Sequence, residues 1–411
     1  MLTGTNLQYA KSYNIRIVLE SIRLYGPISR VDIARRSQLT AQTVTNITRE
    51  LLKAGLIQEA HRLQEGRGAP SILLQLNPDG AFSIGLDLDK DHLTAVLVDM
   101  TGTVRQRTNL DLNFPSPEEA MVLFENTVRS LITAEKIKMD RLWGIGIGLP
   151  GPLGVSEGSV VTKTVNPRLM PGWSNIPAAQ MLSDRLNIPV YLENNASAAA
   201  LGERWYGEGR HIGTFFYVYF GAGLGGGVVM NGQLHSGHTN NAGELGYFPL
   251  LPVQKDGPGG KIEHLGMAFN LPNLYKQLNE KGFKINNAGG LEELYDQKNP
   301  LLMHWVENGA RQLAPLMLAI EYIIDPEAIF FGGRLPDNII KGLLEMIKIQ
   351  LPALHIEEKT TQPKLTTATA GQDAAALGVA ILPLYTTMAP LPKVLMKKHG
   401  PSERSLRTYK S

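Results

Sequence analysis

Gly221-Ala222-Gly223-Leu224-Gly225-Gly226-Gly227-Val228-Val229-Met230 is the stretch on which the fold turns. Its first six residues match GxGxxG, the glycine pattern of a dinucleotide-binding turn. Such a turn must open a helix, so that the pyrophosphate sits on the helix N-terminus. Here the glycines run into Gly227 to Met230, a strand pattern, and Thr214 to Phe220 before them is another strand. The stretch reads as a tight β-hairpin whose amides could face a phosphate. Glu244 sits near the acid spacing of a dinucleotide motif, but without the helix that is coincidence. The second match, Gly146-Ile147-Gly148-Leu149-Pro150-Gly151, is followed by Pro152 and Gly154, which cannot open a helix. Neither run supports a dinucleotide fold.

Working outward, strand-like runs alternate with helical ones. Ser83 to Leu88 and Thr94 to Asp99 are followed by a turn at Thr101-Gly102 and a third strand, Val104 to Leu112. A helix from Pro117 to Glu135 precedes the buried strand Leu142 to Ile147. Val190 to Glu193 then leads into an Ala-rich helix, Ala196 to Tyr206. The hairpin theme repeats at Thr214 to Phe220 and Gly227 to Met230. A strand-strand-strand-helix-strand order appearing twice predicts an α/β body with two similar lobes and a ligand cleft between them.

The residues before this body have another texture. Ile15 to Tyr25 reads as an amphipathic helix with Ile15, Val18, Leu19 and Ile22 on one face, ended by Gly26-Pro27. Ser29-Arg30-Val31-Asp32 is a capping-box pattern that opens a short helix carrying Arg35 and Arg36 outward. After Ser37-Gln38-Leu39, Thr40 caps a second helix, Ala41 to Ala54, closed by Gly55. Val44, Ile47 and Leu51 form its buried stripe. Gln42, Thr43, Thr45, Asn46 and Arg49 lie opposite. Two strand-like runs, Leu56 to Ala60 and Ser71 to Leu76, flank Glu65-Gly66-Arg67-Gly68-Ala69-Pro70. The whole is a winged helix-turn-helix pattern. Asn and Gln bond adenine bidentately, Arg bonds guanine, and Thr suits phosphate or methyl contacts. Arg67 between two glycines suits insertion into a narrow minor groove. The alternative is a packing module whose polar face is merely solvated.

Charge follows this division. The 411 residues carry a net charge of +2, yet residues 1–72 hold ten Lys and Arg against five acids. The end of the chain, 386–411, holds six against one, which leaves the acidic remainder at −8. Such asymmetry points the N-terminal segment toward nucleic acid, while the Pro-, Ser- and Lys-containing tail reads as a flexible extension. With no cysteine, a disulfide framework, a thiol nucleophile and Cys-ligated metal sites are excluded. No apolar run approaches the roughly 20 residues of a membrane span, and the start lacks a signal-peptide apolar core. The expectation is a soluble, cytoplasmic protein.

Taken in order, Gly148-Leu149-Pro150-Gly151, Glu193-Asn194-Asn195-Ala196, Gly221 to Gly227 and Ala242-Gly243-Glu244-Leu245-Gly246 resemble the motifs of the ROK family. Gly332-Gly333 and Gly371-Gln372-Asp373-Ala374 to Gly378 resemble its later motifs, so the likeness spans roughly residues 80 to 385. That family groups sugar-responsive repressors and sugar kinases. The resemblance implies an actin-like (ribonuclease H-like, ASKHA) two-lobed sugar-kinase fold behind the winged helix, in the repressor branch. The expected domains are 1–80 for the winged helix, 81–195 and 196–385 for the lobes, and 386–411 for the basic tail.

Departures from the family pattern argue against catalysis. The kinase loop Asp-x-Gly-x-Thr is replaced by Asp87-Leu88-Asp89-Lys90-Asp91, whose acids would repel a triphosphate. In the second phosphate loop, Gly-Thr-Gly has become Gly221-Ala222-Gly223. Asn195 stands where the kinases keep an Asp general base, a loss that typically costs about 10²–10⁴-fold. The family's zinc ligands are also replaced together, by Tyr247, Gln254, Asp256 and Lys261. No catalytic residue, cofactor or metal is therefore expected.

The resemblance assigns sugar contact to Asn194, Asn195, Glu244 and Glu263, and less directly to Tyr247 and Asn166. Carboxylates and amides exchange paired hydrogen bonds with hydroxyls. The alternative for each is a cap or a buttress. The sequence thus predicts a repressor that binds a double-stranded operator as a homodimer or homotetramer, away from membranes. A sugar or sugar-phosphate effector bound between the lobes would modulate it. A sugar kinase with an accessory DNA-binding domain, and regulation by a protein partner, are the rival readings.

Overall fold

The computed structural model describes residues 7–63, 71–112, 115–156, 162–165, 170–251, 262–285, 288–356 and 358–390. At the N-terminus, α1 (Leu7–Tyr25) is followed by β1 (Ile28–Ser29), α2 (Arg30–Ser37), α3 (Ala41–Lys53), β2 (Ile57–Leu63) and β3 (Ser71–Leu76). The first helix starts eight residues before the Ile15 expected from its apolar stripe. Its first turns bury little, and Lys11 instead pairs with Glu50 of α3 at 2.8 Å. Ser29 Oγ caps α2 by accepting from the Asp32 amide at 3.1 Å. The return half of the expected box differs, because the Asp32 carboxylate accepts from the Ser29 hydroxyl at 2.7 Å rather than from its backbone. Thr40 caps α3 through the Thr43 amide, and Gly55 follows it at φ +69°, a left-handed geometry that favours glycine. The strands pair antiparallel in the order β1-β3-β2. Val18, Leu19, Ile22, Ile33, Val44, Ile47 and Leu51 form the core beneath them.

The body contains two sheets of one topology. In the first, β4 (Phe82–Leu88), β5 (His92–Asp99) and β6 (Val104–Asp111) form an antiparallel meander. After α4 (Pro117–Ala134), β7 (Leu142–Leu149) adds parallel to β4. A small hairpin, β8 (Leu153–Ser156) with β9 (Thr162–Val165), and α5 (Ala178–Leu186) lead to β10 (Val190–Asn194), parallel to β7. The second sheet follows α6 (Asn195–Tyr206) and repeats this plan with β11 (Phe215–Phe220), β12 (Leu224–Met230) and β13 (Gln233–Leu234). The helices α7 (Leu265–Ala268), α8 (Leu271–Glu280), α9 (Ala288–Asp296) and α10 (Pro300–Ile324) intervene. Then β14 (Ala328–Gly333), α11 (Asp337–Gln350) and β15 (Lys364–Thr367) complete it, and α12 (Ala374–Met388) closes the described chain. The orders β10-β7-β4-β5-β6 and β15-β14-β11-β12-β13 match strand for strand.

The glycines that mimic a dinucleotide motif have a packing role. In Ile145-Gly146-Ile147-Gly148 the isoleucines enter the core under α4 and α5, while the glycines face the other way. On that side α12 lies so close that a Cβ on Gly146 would overlap the Val379 carbonyl. α12 also packs on α6, where a Cβ on Gly378 would overlap the Ala198 carbonyl. α6 in turn packs on β11 and β12, so the two helices form the layer between the sheets.

The winged helix is not a bead on a string. Its core is continuous with Val96, Val98, Met100, Trp143, Ala380, Ile381 and Leu384 of the body. Arg141 ties the two together from β7's approach, donating to the carbonyls of Ala54 and Gly80 at 3.0 Å each. Among the described residues no helix is long and apolar enough to cross a membrane.

Candidate functional site

Two surfaces carry the chemistry. On α3 the buried side consists of Val44, Ile47, Thr48 and Leu51, which leaves Gln42, Asn46 and Arg49 exposed. Gln42 Nε2 donates to Asn46 Oδ1 at 3.2 Å, so the two amides sit one turn apart on the same stripe. Thr43 and Thr45 are half-buried at its edge. The Thr43 hydroxyl engages Thr40 at 2.8 Å, and the Thr45 hydroxyl donates to the Ala41 carbonyl at 2.8 Å. Their polar capacity is largely used within the helix, so Thr45 presents mainly its methyl group. Arg35 is exposed on α2 and paired with Asp32, an exposed contact weak enough to exchange for a phosphate. Arg36, beside it, stacks on the Tyr25 ring at 4.1 Å. Arg67 and the wing tip lie outside the described residues.

The second surface is a cleft between the sheets, with roughly 750 Å³ of empty space including its open mouth. It is built from the C-terminal ends of β7 and β10, the turns after β4 and β11, and the segment from Glu244 to Tyr247. Asn194, Asn195, Glu244 and Tyr247 all line it.

Asn194 ends β10 and caps α6, its Oδ1 accepting from the Ala196 amide at 2.8 Å. Its Nδ2 reaches across to Glu244 Oε1 at 3.4 Å. Gly151 permits that approach, since a Cβ there would collide with both side chains. Asn195 is 4% exposed, and its carboxamide bonds no described residue, which leaves it facing the cleft. Burial pushes the Glu244 carboxyl up to about 7. Nearby, Asn241 grips Leu153 through both backbone groups, accepting from its amide at 2.7 Å and donating to its carbonyl at 2.8 Å.

The structure does not bring every expected residue here. Glu263 is exposed and lies outside the cleft. Its backbone carbonyl accepts from Leu250, and the extended chain at this point turns the next side chain, His264, inward instead. Asn166 lies outside the described residues, as do Gln254, Asp256 and Lys261. Tyr247, with those three, offers one ordinary zinc donor, so the set does not fit the family's structural metal.

Three polar cleft residues, Tyr219 of β11, His264 and Asp89, were not expected from the sequence. His264 Nδ1 bonds the Tyr247 carbonyl at 2.8 Å, which leaves Nε2 for a ligand. Asp89, in the turn after β4, accepts from the Ala222 amide at 3.2 Å and from the Lys90 amide at 2.7 Å. Burial raises its carboxyl to about 6. The acids of residues 87–91 were the available signal for Asp89. For His264 there was none beyond its place next to Glu263.

Behind Asp89 the buried His92 and Asp87 form a charge cluster with the exposed Asp91. His92 bonds Asp91 at 2.7 Å and lies 3.8 Å from Asp87, an ion pair too long for a hydrogen bond. Burial alone would lower its imidazole, but the two carboxylates outweigh it and hold the group up at about 9.

Comparison with known proteins follows the same division. Residues 83–385 match the ROK family model and residues 17–68 the MarR family model. The chain is 32% identical over 278 residues to the xylose repressor of Caldicellulosiruptor bescii, covering 66% of this chain and 68% of that one. It is 27% identical over 368 residues to the DNA-binding transcriptional dual regulator NagC of Escherichia coli, covering 85% of each. A solved ROK family transcriptional regulator, described as a homolog of the E. coli MLC protein, aligns over 94% of this chain and 99% of its own. Its TM-score is 0.72 at 25% identity.

Proposed function

The chain belongs to the ROK family, and from that premise we propose that it is a DNA-binding transcriptional repressor of carbohydrate metabolism. The observation that carries this reading is the exposed Gln42, Asn46 and Arg49 stripe on α3, in a MarR-type winged helix packed against the ROK body. Gln42, Asn46 and Arg49 read base edges, Thr43 and Thr45 edge the groove, and Arg35 and Arg67 hold backbone and minor groove. The units are 1–80 for DNA, 81–195 and 196–385 for the lobes, and 386–411 for a basic extension. As a homodimer or homotetramer the protein reads an inverted repeat in the cytoplasm.

The effector is a sugar held by Asn194, Asn195, Glu244 and Tyr247. It must prefer one arrangement of the lobes, because equal affinity for both would transmit nothing. A gel shift on the protein's own upstream DNA, repeated over a panel of sugars and sugar phosphates, tests the reading. Absence of any operator complex would overturn it.

The kinase reading is disfavoured by two features. Asn195 cannot accept the proton of an attacking hydroxyl. The Asp89 carboxylate holds the Ala222 amide that a nucleotide phosphate would need, so the residues present do not fit a triphosphate. ADP release above background with any sugar would restore that reading. A protein partner that controls operator release would show as capture dependent on sugar.

A further inference from the structure

Four features of the cleft bear on which sugar it takes. A phosphoryl group is held in proteins by cations, by the amides of a glycine turn, or by a helix N-terminus. The glycine turn after β11 has spent its first two amides internally. Gly221 donates to the Gly223 carbonyl at 2.9 Å and Ala222 to Asp89 Oδ2 at 3.2 Å. At the N-terminus of α6, the Ala196 amide is already capped by Asn194 Oδ1. Among the described residues that line the cleft there is no Lys or Arg, and the two ionisable acids are Asp89 and Glu244. The remaining polar side chains are those of Asn194, Asn195, Tyr219, Tyr247 and His264.

From this geometry we infer that the effector is an uncharged sugar, and that Asp89, seated on the glycine turn, excludes sugar phosphates. The inference rests on the cleft being the effector site. The Asp89 carboxylate occupies the place an anion would take and repels one that approaches. Its two oxygens are held by backbone amides from the turns of both sheets, so it cannot swing aside without breaking both bonds. Glu244 adds a second acid whose partner, Asn194, is neutral. Each polar group that remains matches hydroxyl chemistry, in which a donor and an acceptor are exchanged at once.

The test is calorimetric titration of the full-length protein with unphosphorylated D-xylose, D-glucose and N-acetyl-D-glucosamine, and with a phosphate ester of each. Operator release by the same compounds is followed in parallel. The expected result is that at least one free sugar binds and releases operator, with its ester weaker by about 100-fold or more, as charge repulsion at short range implies. Asp89→Asn should narrow that gap at least tenfold without loss of the free sugar, and Asp89→Ser serves if the amide variant folds poorly. An ester that binds as tightly as its free sugar, or a gap unmoved in both variants, overturns the inference and leaves the cleft as a sugar site. If neither class binds, the effector reading of the cleft fails and this inference with it.

Discussion

Arg16 of α1 donates to the carbonyl oxygen of Ala389 at 3.0 Å, across 373 positions of sequence, and the same Nη1 donates to Thr386. Arg16 is 7% exposed, and its guanidinium closes the C-terminal end of α12, where cations are favoured. α12 in turn packs on α6, which begins at Asn195 and is capped by Asn194. A path of packed elements therefore leads from the cleft to the DNA-binding unit.

Arg16→Met removes that closure and strands buried carbonyls, which costs about 1–3 kcal/mol. The expected outcome is a lower thermal midpoint and a weaker sugar effect on operator binding, with sugar affinity changed by less than about twofold because the cleft is remote. Calorimetry and gel shift on one preparation check this. A full sugar effect in a folded variant would remove Arg16 from the coupling.

Gly378→Val places a side chain where the Ala198 carbonyl lies, so α6 and α12 must separate. Overpacking typically costs about 1–3 kcal/mol, and a backbone neighbour puts this variant at the upper end. Denaturant unfolding should show a lower midpoint, whereas Gly371→Ala, with open space around it, should lose only what its φ of +79° demands.

Stability should fall as pH rises from about 6.5 toward 9, because His92 binds its proton more tightly in the folded protein. A raised imidazole contributes its full stabilisation below the unfolded value and loses it as pH passes the folded one. Urea midpoints measured between pH 6 and 10 should show this descent, on the order of the window just given. His92→Gln should flatten it.

Glu244→Ala should abolish the sugar response while leaving operator affinity within about twofold, since the residue lies in the cleft and not on α3. In the intact protein its carboxyl, pushed up to about 7, ionises across neutral pH and accepts sugar hydroxyls better once charged. Sugar affinity should therefore rise between pH 6 and 8, and Glu244→Gln should remove Glu244's share of that rise.

Asn46→Ala should cost about 1–3 kcal/mol at one base position and relax the preference there. Arg49→Ala should reduce either one base preference or the salt dependence of binding. A quantitative shift on an operator library at two salt concentrations separates the two outcomes.

Much of this was readable along the chain. The caps at Ser29 and Thr40, the stripe Val44, Ile47 and Leu51, and the hairpin at Gly221 to Met230 depend on neighbours within a few residues, where local geometry decides. The hairpin's extent was less clear: β12 begins at Leu224, three residues before the apolar pattern starts, because Gly225 and Gly227 face the Ala side chains of α6. Glycines that accommodate a helix leave no hydrophobic alternation to read.

The cleft residues divide by the same physics. Asn194 and Asn195 end a strand and open a helix, a junction that places both at the cleft wherever the strand runs parallel to its neighbour. Glu263 and His264 differ by one position in extended chain, and successive side chains there point to opposite sides. Only the pairing of Pro249 with His264 sets which one faces inward. Asp89 on Ala222 and Arg16 on Ala389 join residues 133 and 373 positions apart. Local pattern settles the element types and the exposed polar stripe of α3. The contacts that shut out an anion and bind the winged helix to α12 arise from packing between distant elements, where no local preference operates.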